Sequence, residues 1–289
     1  MNRRELLKIV PLAASAPMLR LPAAAGRARL RPAICAYSYR EALQKKTMTY
    51  EDLVRRAVEY DLDGLDLTVY WFPSTSDDFL LPLRRLAHLS GIEIYAISIR
   101  TDMCRPAGQE REREIAEVKK WVDVAQKLGA SHIRVFGGDV PDGATEDQAA
   151  AWAAETLKRS AEYAGSRGII LGLENHGGIT ERADRVVQIV KAVGSPWTGI
   201  SLDTGNFHED PYPQIEMCAA YAVNCQIKSE MQIGKPKPEP ADWERIFGML
   251  ARAGYKGYVA LEYESEKDAS TEIPRLLKEL RRLCAKYTG

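Results

Sequence analysis

From Pro32 onward, short apolar runs alternate with longer amphipathic stretches, and the alternation continues to the end of the chain. A run of apolar residues too short for a helix, bounded by glycine or polar residues, reads as a strand buried on both faces, the signature of a parallel sheet. Such runs predict strands at Ala33–Tyr39, Gly64–Val69, Glu93–Ile99 and His132–Phe136 in the first half, then at Ile169–Glu174, Thr198–Asp203, Ala222–Lys228 and Tyr258–Glu262. The stretches between them predict helices at Tyr50–Tyr60, Asp77–Ser90, Glu110–Leu128, Thr145–Arg167, Thr180–Val193, Pro213–Tyr221, Trp243–Ala253 and Ser270–Tyr287. Thr49 and Thr145 stand where N-caps belong, and Gly129, Gly168 and Gly254 where helices stop.

Eight strands and eight helices in strict alternation over about 255 residues predict a single-domain (β/α)8 TIM barrel spanning residues 27–289. A doubly wound open sheet calls for a glycine-rich first turn, whereas the first strand here ends in Ser38-Tyr39-Arg40.

The first 26 residues break the pattern. Arg3-Arg4, Leu6-Leu7-Lys8, an Ala/Pro/Leu-rich stretch and Ala23-Ala24-Ala25 resemble a twin-arginine export signal. The expectation is a periplasmic or secreted protein; the bland alternative is a basic N-terminus on a cytoplasmic one. Arg20 and the prolines interrupt the apolar region, so it does not predict a permanent membrane span.

Composition narrows the partners. With 40 basic and 40 acidic residues among 289, the chain has no charge excess for nucleic acid or an anionic membrane. Its 5 cysteines show no CxxC spacing and are odd in number, which argues against a zinc–thiolate site and a full disulfide framework. They read as buried small hydrophobes.

The chemistry lies where strands end. Strand five ends Leu173-Glu174-Asn175-His176, strand six Leu202-Asp203-Thr204-Gly205-Asn206-Phe207-His208, strand seven Gln226-Ile227-Lys228, and strand eight Leu261-Glu262-Tyr263-Glu264. Side chains alternate along a strand, so the apolar Leu173, Leu202, Cys225 and Leu261 face the helices while Glu174, Asp203, Gln226 and Glu262 face the barrel axis. In a TIM barrel that end carries the active site. Three carboxylates converging there repel one another unless a cation lies between them. All-oxygen donors favour Mn²⁺ first, with Mg²⁺ or Co²⁺ possible, over Zn²⁺.

On these residues the chain resembles the xylose isomerase-like TIM-barrel family of sugar epimerases and isomerases, which also contains type-IV apurinic endonucleases. The resemblance covers residues 32–286 and rests on Gly-Leu-Glu174-Asn-His, Leu-Asp203-Thr-Gly-Asn206 and Leu-Glu262. In ketose 3-epimerases of that family the strand-five and strand-eight glutamates bind the metal and exchange protons with substrate. The strand-six aspartate and a strand-seven histidine complete the site. The resemblance thus implies Glu174 and Glu262 as catalytic ligands, with Asp203 as a further ligand. Gln226 stands where the histidine is expected, a departure that makes the site harder. The family's habit of pairing implies a homodimer or homotetramer. An apurinic endonuclease needs a histidine-rich three-metal cluster, and this chain has only 4 histidines.

The implied reaction is metal-assisted isomerisation or epimerisation of a small keto-sugar through an enediolate, unphosphorylated if the protein is exported. Elimination of a group β to the keto carbon of a 3-keto-sugar or keto-glycoside is the alternative, and a non-catalytic sugar-binding barrel a third reading. Supporting residues are His176, Asn206, His208 and Lys228 as substrate contacts. Arg134 is either a substrate contact or a helix-facing charge partner. Trp71 and Phe72 either stack on a sugar face or cap the barrel, and His88 and His132 read as structural.

Overall fold

The computed structural model describes residues 26–234 and 237–289. The predicted export segment, apart from Gly26, lies outside the described residues. Eight parallel strands close into a barrel: β1 (Arg29–Cys35), β2 (Gly64–Thr68), β3 (Glu93–Ser98), β4 (His132–Phe136), β5 (Ile170–Glu174), β6 (Thr198–Asp203), β7 (Ala222–Ile227) and β8 (Lys256–Leu261). Each neighbours the next in sequence, and β8 closes the ring against β1, pairing Arg29–Ile34 with Lys256–Leu261. The crossover helices are α1 (Tyr50–Glu59), α2 (Asp77–Leu89), α3 (Gln109–Leu128), α4 (Glu146–Ser166), α5 (Ala183–Val193), α6 (Pro211–Ala219), α7 (Trp243–Arg252) and α8 (Ala269–Tyr287). Among the described residues no helix is long and apolar enough to cross a membrane.

Local chemistry sets the element ends. Thr49 and Asp52 form a reciprocal capping box at the start of α1, as do Thr145 and Gln148 at α4. Gly129 closes α3 and Gly194 closes α5 in the left-handed conformation that a Cβ disfavours.

The first strand departs from expectation. It stops at Cys35, and Ala36–Tyr39 form a 3-10 turn leading into a short helix at Arg40–Gln44. The Ser38 hydroxyl pulls this turn over the end of β8, donating to the Leu261 carbonyl at 3.0 Å and accepting from the Tyr263 N–H at 2.9 Å. A two-residue ribbon, Glu230–Met231 against Glu239–Pro240, decorates the loop after β7.

Two different interiors result. Between barrel and helices, branched and aromatic side chains such as Leu65, Leu67, Ile97, Ile133, Leu173, Ile200 and Phe247 pack without exposure. Inside the barrel the base is filled by the stacked rings of Tyr95 and Tyr258, whose centroids are 3.8 Å apart, with the small residues Ala33, Ala96 and Ala260 further along toward the mouth. Above them the axis is polar: Asp66, Ser98, His132, Ser201 and Asn224 are all buried. Ser98 donates to Asp66 at 2.7 Å, and Asn224 accepts from the Tyr95 hydroxyl at 3.1 Å.

Candidate active site at the carboxyl-terminal mouth

Strand register brings the strand-end residues together. Glu174 is level with Ser201, Asp203 with Gln226, and Gln226 with Ala260, the stagger of a tilted barrel. Glu174, Asp203, Gln226, Lys228 and Glu262 are each at most 7% exposed. The sequence-based expectation that they converge on the axis agrees with this arrangement.

Each carboxylate already has a cationic neighbour. Arg134 points inward from β4, its Nε 2.8 Å from Glu174 Oε2, and its Nη1 donates to the Ile99 carbonyl at 2.9 Å and to the Tyr70 hydroxyl at 3.2 Å. It therefore faces the mouth, and its ion-pair partner among the described residues is the strand-end Glu174. Asn206 donates to the other Glu174 oxygen at 3.2 Å. Lys228 places its ammonium 2.8 Å from Glu262 Oε2 and 3.2 Å from Asp203 Oδ2, and contacts Glu264 as well. Backbone contacts fix the frame: Gly205 N–H donates to Asp203 Oδ1 at 2.7 Å, and the Asn175 amide brackets Asp203 by donating to its carbonyl at 2.8 Å and accepting from its N–H at 2.9 Å.

Burial and these cations drive the acids apart. Desolvation pushes Glu174 up to about 8 against the pull of Arg134. Glu262 is equally desolvated, but Lys228 and hydrogen bonds outweigh burial and hold it down to about 2. Asp203 is raised by burial, and Asp66, deeper on the axis, is pushed up to about 6 by the same cause.

The remaining predicted residues spread around the rim. His176 is exposed, its ring 4.1 Å from that of Phe136. His208 is exposed. Trp71 is half-buried beside Tyr37 and Tyr70, with ring centroids 5.9 and 5.8 Å away, forming an aromatic wall. Phe72 packs edge-on against Tyr50 of α1, Phe79 of α2 and Trp121 of α3, on the helix side of the strands. Lys228, expected as a substrate contact, has its ammonium against Asp203, Glu262 and Glu264.

Sequence reading missed three participants. Cys35, taken for a small hydrophobe, puts its thiol 3.5 Å from Glu262 Oε1, Thr68 Oγ1 and Gln226 Nε2. Glu264 reaches Lys228 from the rim. Asp66, the lone acid in the otherwise apolar run Gly64-Leu65-Asp66-Leu67, carried a legible signal, because a charge inside a buried strand needs a partner on the axis.

A divalent cation can be tested against these atoms. Gln226 Oε1 is buried without a hydrogen bond, and Glu174 Oε2 and Asp203 Oδ2, buried beside it, face the cations of Arg134 and Lys228; such oxygens are donors that an oxygen-seeking metal takes. In donor chemistry the set fits. In arrangement Asp203 and Glu262 close on the Lys228 ammonium while Glu174 pairs with Arg134, and among the described residues no group of three or more His, Cys, Asp and Glu side chains stands ready to hold a metal.

The family's sequence profile matches residues 54–285. The chain belongs to the xylose isomerase-like TIM barrel family. No curated protein sequence matches it. Among solved structures it resembles D-psicose 3-epimerase with D-tagatose from Clostridium cellulolyticum H10, at 18% identity and TM-score 0.71 over 88% of this chain and 99% of that one. It also resembles the probable 3-DHS dehydratase AsbF from Bacillus anthracis, at 15% identity and TM-score 0.68 over 87% and 98%. A third is the IolI protein with a bound zinc atom, at 14% identity and TM-score 0.72 over 90% and 99%. At such identities these likenesses establish the barrel shared across the family.

Proposed function

We propose that this member of the family is an enzyme of the isomerase or epimerase type, exchanging protons at a carbon beside the carbonyl of a keto-sugar. One observation carries the reading: two buried carboxylates, Glu174 and Glu262, project into one mouth from strands three positions apart around the barrel. A planar enediolate between them would have one carboxylate toward each face, so one can take a proton and the other return it.

Glu174, Asp203, Gln226 and Glu262 would hold a divalent metal, and their oxygen character favours Mn²⁺, Mg²⁺ or Co²⁺. Bound there, the metal would acidify the carbon next to the sugar carbonyl and stabilise negative charge on the sugar oxygens. The chain's residues do the rest. Arg134 and Asn206 fix the orientation of Glu174 by binding both its oxygens. Tyr37, Tyr70 and Trp71 offer an apolar wall for a sugar face and shed water from it. Arg3-Arg4 support export, and with it a substrate without a phosphate; pairing into a dimer or tetramer is the quaternary reading.

A second reading runs the same proton abstraction one bond further, eliminating a group β to the keto carbon. The exposed His176 ring at the rim favours it as a proton donor to a departing oxygen.

The test is deuterium uptake from D₂O into a panel of keto-sugars and keto-glycosides, with each divalent metal. The expected result is metal-dependent uptake, reduced 10²–10⁴-fold in Glu174→Gln, the worth of a placed acid or base at about that order. Release of a leaving group would select elimination. Absence of exchange with every keto-sugar would remove both readings.

A further inference from the structure

We propose that Lys228 is a resident counter-ion for the mouth, holding its carboxylates together until a divalent cation takes its place and sends it outward. The inference rests on the metal reading above.

The lysine is built into the site. Its ammonium bridges Asp203 and Glu262 from different strands at 3.2 and 2.8 Å, and its side chain is 9% exposed. Its backbone is pinned at both ends, the N–H donating to Thr204 Oγ1 at 3.2 Å and the carbonyl accepting from the Trp243 indole at 2.7 Å. Its stem lies over Gly205, where a Cβ would overlap Lys228 Cγ.

A metal and this ammonium cannot share the oxygens. Divalent ions sit about 2.0–2.6 Å from carboxylate oxygens, and the lysine nitrogen is already within hydrogen-bond distance of the same two groups. A cation of charge two placed there would meet an unscreened positive charge only a few ångströms away. The ammonium has a route out. Lysine is a compact charge on a flexible four-carbon stem, and its third partner, Glu264, is 39% exposed at the rim. Swinging toward Glu264 would clear Asp203 and Glu262 and leave Lys228 at the entrance, where a sugar hydroxyl arrives. The same exchange explains why the donors fit a metal in chemistry while their arrangement suits an ammonium.

Two measurements on the full chain, stripped of metal and titrated with Mn²⁺, decide it. By calorimetry, Lys228→Met should bind Mn²⁺ at least tenfold more tightly than the natural protein, because no ammonium has to be displaced. The stripped variant should also melt at lower temperature. In the natural protein, acylation of Lys228 followed by mass spectrometry should quicken severalfold when Mn²⁺ is added. Equal or weaker Mn²⁺ binding by the variant, or Lys228 acylation unchanged by Mn²⁺, overturns the proposal while leaving the metal reading intact. If neither protein binds Mn²⁺, the metal reading fails and the counter-ion role with it. If Lys228→Met does not fold, the acylation measurement on the natural protein decides alone.

Discussion

His132 should make the barrel acid-labile, by an amount the structure lets one work out. Its side chain is buried on the barrel axis, packed so closely over Gly172 that a Cβ there would overlap the imidazole, and neither ring nitrogen has a hydrogen-bond partner. Burial, reinforced by the positive charge of Arg134, pushes its pKa down from 6.5 to about 3. The sign follows from proton counting. Below pH 6.5 the unfolded chain takes up a proton on this residue that the folded chain refuses until near pH 3, so stability falls as pH falls through that window. Near pH 7 little of the penalty is felt. By pH 5 the uptake by the unfolded chain is almost complete, and the loss amounts to about 2 kcal/mol relative to pH 7. His132→Leu removes the titrating group and two unsatisfied polar atoms at similar volume. Urea unfolding of both proteins at pH 7 and pH 5 isolates the effect as a difference of differences, in which the other titrating groups largely cancel. The natural protein should lose about 2 kcal/mol more than the variant over that interval. Equal losses would show that His132 is solvated or partnered in the folded protein, and the argument from burial would be wrong.

Two further outcomes follow from the site's contacts. Arg134→Met removes the cation beside Glu174, whose carboxyl burial already pushes up to about 8, so the stability lost in urea melts should grow as pH rises above that value and the natural protein's carboxylate ionises; adding Glu174→Gln should restore part of it, and strictly additive losses would show that the pair is not coupled. Trp71→Ala should raise KM by up to roughly tenfold with kcat little changed, the worth of an aromatic face of about 0.5–1.5 kcal/mol. A loss confined to kcat would place Trp71 in positioning the acids instead of binding the sugar.

Much was written in the sequence alone. The alternation of apolar strands with amphipathic helices determined the barrel, because an apolar run covered on both faces has few places to go except a parallel sheet wrapped by helices. The period of two along each strand then put Glu174, Asp203, Gln226 and Glu262 on the axis. Both facts are local, set by spacing over a handful of residues. What a local pattern cannot carry is which side chains meet across the barrel. Arg134 and Glu174 lie 40 positions apart and come together because β4 pairs with β5 in a register that sets Arg134 against Gly172. Cys35 reaches Glu262 only because the first strand closes on the last. Lys228 looked like a residue aimed at substrate, since its parity along the strand was right. Only the closed barrel shows that two carboxylates from neighbouring strands reach its ammonium first, because opposite charges buried together in a medium of low polarity seek each other before they seek water.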